Sequence, residues 1–390
     1  MTQAILAFNS GSSSIKFAAY EVDAHAKPTL ICKGMLDRRS ADAEIVIKDP
    51  AGKIIETGGA RADGADSDLA GILIGHVEPL LDGRRLAAAG HRIVHSGPDF
   101  SAPVRVDSDV LRKLEALTPL APLHQPGGLA PIRTLLASRP DLPQIACFDT
   151  AFHRDLAPIY RRFPLPIEFE AKGIRRYGFH GLSFEYIAQR LPKPQTRSVI
   201  AHLGSGASLC AIRHGSSVNT TMSLTPLDGL MMATRSGAVD PGLVLYLQQS
   251  ERMSASAVED LLYRKSGLLG VSGISADMRT LLASSDPSAH QAVDQFCARI
   301  AEQIAVMASG IGGIDALVFT AGIGENSPDI RRNVCARLQW IGVQLDDNAN
   351  AQRRGVISAP NSKVEVLIIP TDEEIMIAQH TRDVVVGAVS

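Results

Sequence analysis

The chain lacks most of the features that would assign it quickly. Its five cysteines (Cys32, Cys147, Cys210, Cys297, Cys335) are scattered and odd in number, and none forms a Cys-x-x-Cys pair. That argues against a disulfide framework and implies reduced, mostly buried thiols in a reducing compartment. Lys and Arg number 39 against 41 Asp and Glu, for a net charge of -2. Such a balance leaves no basic footprint for nucleic acid or a membrane surface. No apolar run approaches the ~18 residues of a membrane span. The opening Met1-Thr-Gln-Ala-Ile-Leu6 lacks a basic segment followed by a long apolar one, so no signal peptide is expected. A cytoplasmic protein follows, with no nucleic-acid and no membrane partner. Two nucleotide signatures are missing as well, GxxxxGK[ST] and GxGxxG, which excludes a P-loop enzyme and the usual dinucleotide fingerprint. Neither the His91-x-x-x-His95 spacing nor any Cys/His set reads as a transition-metal site. Any metal is expected to be Mg²⁺ travelling with nucleotide, held by few carboxylates and waters.

What is present is an α/β pattern. With 390 residues, 45% of them hydrophobic, the chain is long enough for roughly two domains. Ile5–Phe8 and Ile15–Ala19 read as strands around the turn "NSGSSS". Glu44–Ile47 and Lys53–Glu56 flank "DPAG" as a second hairpin. Helices are predicted over Asp68–Leu81, over Ser108–Leu117 with Ser108 as cap, and over Leu129–Ser138, with "PLAPLHQPGG" as a loop between the last two. Ala87–Val94 and Gln144–Phe148 are buried strands. In the second half, Val199–Leu203, Leu209–Ile212, Ala316–Thr320 and Val364–Ile369 read as strands, and Ser256–Tyr263 and Ala289–Met307 as helices. The long helix opens on Asp286-Pro287 and repeats Val293, Phe296, Ile300, Ile304 and Met307 at helical spacing. Thr371-Asp-Glu-Glu374 fits a capping box, which would leave Glu373 the freer carboxylate.

Phosphate binding needs converging backbone N–H groups, hence glycine and small residues. Asn9–Ser14, Gly204–Ser208 and Gly322–Asn326 qualify, each directly after an apolar strand. Any one of them could be a plain turn; three in one chain point to nucleotide. "LAFNSGSSSIKFA" and "IAHLGSGASLCAI" also resemble each other when Gly11 is set against Gly206, which suggests two related halves. Arg92, in "GHRIVHSG", costs desolvation inside an apolar strand unless it meets an anion, either a substrate or a structural carboxylate. Arg235, in "TRSG" ahead of "DPG", reads first as a solvated loop charge. Lys16 falls on the polar phase of its strand. Asp149 ends a buried strand, where active-site carboxylates of α/β sheets often sit, or else caps the next turn. His180, between two glycines, could donate to a phosphoryl oxygen or be a satisfied structural histidine. His91, His95, His124, His153 and His202 border strands without ranking themselves.

The strings "NSGSSSIKF", "GHRIVHSG", "APLHQPGG", "CFDTAFH", "RRYGFHGLS", "HLGSGASLCAI", "SLTPLDGLMMATRSGAVDPG", "SGISADMR", "FTAGIGENS" and "IPTDEE" resemble, in this order, the acetate kinase family, from about residue 4 to residue 380. The resemblance implies an α/β fold of two duplicated actin-like (ribonuclease H-like) ATPase domains of the acetate and sugar kinase, heat-shock chaperone and actin superfamily, around a nucleotide cleft. The first domain would comprise 1–150 plus 371–390, with the acyl substrate and phosphate hairpin. The second, 151–370, would bind nucleotide and carry the dimer interface.

By motif, the resemblance puts Asn9 and Glu373 near Mg²⁺ (or Mn²⁺) and makes Ser12, Ser14 and Lys16 the first phosphate hairpin. Arg92, Arg235, His180 and Asp149 are the implied catalytic set. Val94, Leu123, Phe179 and Pro226, with Arg92, are the implied acyl pocket. His202, Gly204, Ser205, Gly206, Asp277, Arg279, Gly322, Ile323, Gly324 and Asn326 are the implied ATP/ADP contacts. The implied reaction is reversible in-line phosphoryl transfer between ATP and acetate, giving ADP and acetyl phosphate, in a homodimer. Propionate kinase is the alternative within the class; a nucleotide-driven conformational ATPase or regulator is the alternative outside it. Four positions depart from the family pattern: Ser205 for Asn, Gln125 in "HNP", Phe184 for His, and Ala238 for an acidic residue.

Overall fold

The structure is a computed structural model that describes residues 3–11, 14–23, 26–37, 42–61, 69–193 and 196–387. Contacts divide the chain into two compact units, Met1–Ala151 with Asp372–Ser390, and Phe152–Thr371. The first unit holds β1 (Gln3–Ser10), β2 (Ser14–Val22), β3 (Thr29–Asp37), β4 (Asp42–Lys48), β5 (Ile54–Arg61), β6 (Arg85–Ile93), β7 (Val104–Arg105) and β8 (Gln144–Phe148). The second holds β9 (Ser198–Leu203), β10 (Ala207–Arg213), β11 (Ser216–Thr220), β12 (Ala316–Thr320) and β13 (Glu365–Ile368).

The first sheet runs β5-β4-β3-β2-β1-β6-β8-β7 and the second β11-β10-β9-β12-β13. In each, an antiparallel three-strand meander (β1–β3, β9–β11) is followed by two strands parallel to its first member (β6 and β8, β12 and β13). The order β3-β2-β1-β6-β8 is thus the order of the second sheet, with the β4–β5 hairpin and β7 added at the edges. The suspected internal duplication is therefore visible in topology. Its turn alignment needs correction. Hairpin pairing ends at Ser10↔Ile15 and at Leu203↔Ala207. Gly11 N–H closes on Ser14 O at 2.8 Å, and Gly204 N–H on Gly206 O at 3.0 Å. Gly11 therefore corresponds to Gly204, not to Gly206.

Local chemistry explains the elements. β1, β8, β9 and β12 are covered on both faces, which suits their unbroken apolar runs. In β2, Ile15 and Phe17 are buried while Lys16 is exposed, the alternation of a half-covered strand. Helix Pro287–Gly310 starts as expected, with Asp286 accepting from Ser288 N–H and proline in the first turn. Its fully buried Phe296, Ile300 and Ile304 each contribute roughly 1.5–3 kcal/mol by leaving water.

Several boundaries differ from expectation. Helix Ser108–Glu115 is capped by Asp107, whose carboxylate accepts from Val110 N–H at 2.8 Å, not by Ser108. Helix Leu69–Val77 runs into a 3₁₀ turn at Glu78–Leu81, and Asp68 lies outside the described residues. The "QPGG" expected as loop is the first turn of helix Gln125–Ser138. Its Gly128 allows close packing, since a Cβ there would lie 3.2 Å from Arg92 O. "AGIGEN", expected as a turn, is the short helix Ala321–Asn326. The terminal helix Glu373–Gly387 packs on β1, β6 and β8. It is capped by Asp372, which accepts from Ile375 N–H at 3.0 Å, and not by Thr371. Among the described residues no helix is long and apolar enough to cross a membrane.

Candidate active site

In the first unit the site grows from the carboxyl ends of three parallel strands, the usual ligand position in an open α/β sheet. Asn9 lies near the end of β1, Arg92 near the end of β6, and Asp149 directly after β8. The Arg92 guanidinium clasps Asp149 side-on: Nε lies 2.9 Å from Oδ1, and Nη2 lies 2.6 Å from Oδ2. Its Nη1 donates to Asn9 Oδ1 at 3.2 Å. The Asn9 amide then donates to Glu373 Oε2 and Glu374 Oε1, both at 2.9 Å. Glu373 Oε2 also stands 3.8 Å from Arg92 Nε. The arginine in the apolar strand thus has a structural carboxylate as its partner, and an asparagine that links it to two more.

Charge is concentrated here. Burial opposes the Arg92 charge, but Asp149 and then Glu373 and Glu374 hold it well above the ordinary guanidinium range. Burial, followed by the adjacent Glu373 charge, pushes the Glu374 carboxyl up; Asn9 and Lys16 act the other way. Among the described residues no three His, Cys, Asp or Glu form a cation cage. Mg²⁺ does not need one, because it keeps waters and binds through one or two carboxylates and substrate phosphates. Crowding of Glu373 against Glu374 beside Asp149 fits such a cation, which would relieve the repulsion.

Gln125 organises the segment after Arg92. It is buried, accepts from His95 N–H at 3.1 Å and donates to His95 O at 3.1 Å and Leu114 O at 3.2 Å. The departure from the family's "HNP" is therefore a structural clamp on the chain that carries Val94. Val94 is buried and Leu123 half-buried. Ser14 O closes the β1–β2 turn; Ser12 lies outside the described residues.

In the second unit two imidazoles stack. His180 precedes helix Gly181–Ala188 at φ 56°, and its ring lies 4.2 Å from that of His202 at an interplanar angle of 13°. His180 Nδ1 is 2.7 Å from Ser208 Oγ, and His202 Nδ1 is 2.8 Å from Ser183 Oγ. Arg235 donates from Nη1 to Pro226 O at 2.7 Å. A Cβ placed on Gly206 would meet Arg235 Nη2 at 2.8 Å and His180 Nε2 at 3.3 Å. So the glycine turn after β9, the guanidinium and the imidazole converge on one spot. Ser205, at the turn's exposed tip, accepts from Ala233 N–H at 3.2 Å. Phe184 is buried edge-on to His202 and His153, which accounts for an apolar residue there. Ala238 is exposed and accounts for nothing further.

Helix Ala321–Asn326 lies against this turn, with the Ala321 Cβ 3.9 Å from the Cβ position of Gly204. Gly322 faces open space. Asn326 donates to Gly322 O and accepts from Arg353 Nη1 at 2.7 Å. Buried Arg331 holds Gly324 O at 2.7 Å and Asn350. Asp277 and Arg279 hold each other. They form an exposed pair at the start of helix Met278–Ala283, where hydrogen bonds from Arg279 push the Asp277 carboxyl down to about 2. Glu325, Ser183 and Arg331 were not singled out individually by sequence reasoning. Only their places inside the quoted family strings, or beside them, could have flagged them.

The sequence pattern of the acetokinase family matches residues 4–379. An acetate kinase of Rhodopseudomonas palustris is 50% identical, over 97% of this chain and 98% of the relative. One from Methylocella silvestris is 45% identical, over 98% of both chains. Among solved structures, a propionate kinase from Francisella tularensis superposes with a TM-score of 0.88 at 35% identity, over 98% of this chain and 99% of that one. The acetate kinase of Porphyromonas gingivalis gives 0.83 at 35% identity, over 97% and 98%. The likeness runs nearly end to end, through both sheets and both clusters, and the chain belongs to the acetokinase family.

Proposed function

We propose that the protein is an acetate kinase, catalysing reversible phosphoryl transfer from ATP to acetate. The observation that carries this reading is the convergence of Arg235 Nη2 and His180 Nε2 on the glycine turn at Gly206. Phosphoryl transfer asks a protein mainly for fixed positive charge and donors around three equatorial oxygens. A carboxylate acceptor is already ionised at neutral pH, so no general base is needed. Arg235 and His180 would hold the transferring group, with their rotamers fixed through Pro226 and Ser208. Arg92, with Asp149 and Asn9 fixing it, would orient the carboxylate. Val94, Leu123, Phe179 and Pro226 would receive the methyl group. Lys16, Ser12 and Ser14 would line the phosphate hairpin. His202, Gly204–Gly206, Gly322–Asn326, Asp277 and Arg279 would receive ATP or ADP. Mg²⁺ (or Mn²⁺) would be held beside Asn9 and Glu373 and would neutralise phosphate charge when bound. The first unit would thus bring Arg92, the phosphate hairpin and the metal-side carboxylates, and the second the nucleotide contacts with Phe179 and Pro226.

A homodimer in the cytoplasm completes the reading. Helix Pro241–Gln249 buries none of its residues and leaves Leu243, Leu245 and Tyr246 exposed, which supports a second copy as the cover. All five cysteines are free and buried, in keeping with a reducing compartment.

The test is acyl phosphate formation, trapped as hydroxamate, with acetate, propionate and butyrate, with and without chelator. Acetate should give the highest kcat/KM, and chelation should abolish turnover. One methylene is worth only ~1–3 kcal/mol in an apolar pocket, so propionate is the nearest competitor, a second reading favoured by the Francisella neighbour. ATP hydrolysis indifferent to every carboxylate would refute the reading in favour of a conformational ATPase.

A further inference from the structure

We propose that Glu325 is a positioning residue for phosphoryl transfer, locking the Ala321–Asn326 turn and, through Thr371, a hydroxyl–imidazole chain that ends at His180. This rests on the reading of that turn and of His180 given above. Three donors meet on Glu325 Oε1: Ala321 N–H at 2.8 Å, Thr371 N–H at 3.1 Å and the Thr320 hydroxyl at 3.4 Å. Ala321 stands at φ 65°, in the left-handed region that a residue with a Cβ avoids. A turn in that state persists only when its surroundings hold it there. Glu325 does so by taking the N–H of the strained residue itself.

The second donor extends the effect. The Thr371 hydroxyl lies 2.9 Å from Ser183 Oγ, and Ser183 Oγ lies 2.8 Å from His202 Nδ1. The His202 ring supports His180 face to face at 4.2 Å, and Ser208 holds the far side of His180 through Nδ1 at 2.7 Å. Every link is within hydrogen-bonding or stacking distance, so a displaced Thr371 turns His202, and His180 loses its support. One carboxylate therefore fixes both the turn read as nucleotide-facing and the imidazole read as phosphoryl-facing.

The experiment uses the full chain and steady-state kinetics in the acetyl phosphate-forming direction, with ADP affinity measured by calorimetry. Glu325→Ala should raise KM for ATP and Kd for ADP at least tenfold and lower kcat at least tenfold, with KM for acetate within twofold. Glu325→Gln keeps an oxygen acceptor for the same N–H groups and should recover to within threefold of the parent. Thr371→Val keeps its N–H on Glu325 but cuts the hydroxyl chain. It should lower kcat with KM for ATP unchanged, and it carries the test if Glu325→Ala fails to fold. Gly322→Leu, which projects into open space, checks the nucleotide reading separately. If Gly322→Leu raises KM for ATP and Glu325→Ala leaves it within twofold, the Glu325 role is overturned while the site reading stands. If neither variant moves it, the site reading fails and the proposal with it. Equal damage in the Ala and Gln variants would also overturn it.

Discussion

Gly206→Ala isolates the geometry of the second cluster without removing any functional group. The new Cβ would stand 2.8 Å from Arg235 Nη2, whereas ordinary contact begins near 3.4 Å. The guanidinium must therefore retreat by the difference, 3.4 − 2.8 = 0.6 Å, or more. It cannot retreat freely, because Nη1 is tied to Pro226 O at 2.7 Å. His180, at 3.3 Å from the same point and backed by His202 and Ser208, is pressed too. A misplacement near 1 Å in a positioned group costs about 10²-fold in rate, so a shift of this size should lower kcat about 10- to 100-fold. Gly206 has no positive φ, so alanine suits the backbone and the fold should keep its stability or gain slightly. The assay is hydroxamate trapping at saturating ATP and acetate, beside thermal unfolding. A variant with kcat within threefold of the parent would show that Arg235 and His180 do not act from this spot.

Arg92→Ala should lower kcat about 10²–10³-fold, the cost of losing one fixed transition-state donor. Because it removes the bidentate cation from buried Asp149, it should also cost about 3–5 kcal/mol of stability by urea titration. Gln125→Leu should lose about 1–3 kcal/mol, since it removes the buried hydrogen bonds to the His95 N–H and carbonyl; an unchanged unfolding midpoint would refute the clamp. Acid should weaken the second unit through His153, whose folded pKa burial pushes down to about 4 from 6.5. Above pH 6.5 neither state is charged. As pH falls from 6.5 to 4, the unfolded chain takes up a proton that the folded one refuses, a loss of about 3 kcal/mol in all. His153→Gln should flatten that part of the urea-stability profile, and a parallel profile would refute it.

How much was legible depended on how local the physics was. Strand ends were readable where apolar runs stop at polar, small residues: Asp149 and Gly204 stand where expected, whereas β1 runs past Phe8 through Asn9 to Ser10, because Asn9 still pairs with Lys16. Helix starts were less so. Ser108 and Asp107 are both good caps, and only geometry chose the aspartate. Thr371 looked like a cap by spacing, yet its hydroxyl goes to Ser183 and its N–H to Glu325, partners far away in sequence. Glu374 was read as belonging to its own helix, whereas it answers Asn9. The helices at Gln125 and Ala321 were hidden by glycines that serve close packing and exposure to open space, not loop freedom. Glu325 left no periodic or compositional signal, because its two shortest bonds come from backbone N–H groups.

The terminal helix has a consequence for how the chain is made. Met376, Ile377, Ala378 and Thr381 fill the face of β1, β6 and β8, and Gly90 has no room for a Cβ beneath Thr381 and Ile377. A ribosome delivers those strands early and their cover last, with all of Phe152–Thr371 in between. At about 5–20 residues per second the interval is on the order of ten to forty seconds. Throughout it the nascent first sheet carries a bare apolar face, and by its end the second unit has every residue it needs. Folding during synthesis therefore finishes the later-encoded unit first, and the earlier one needs shielding until the final helix emerges.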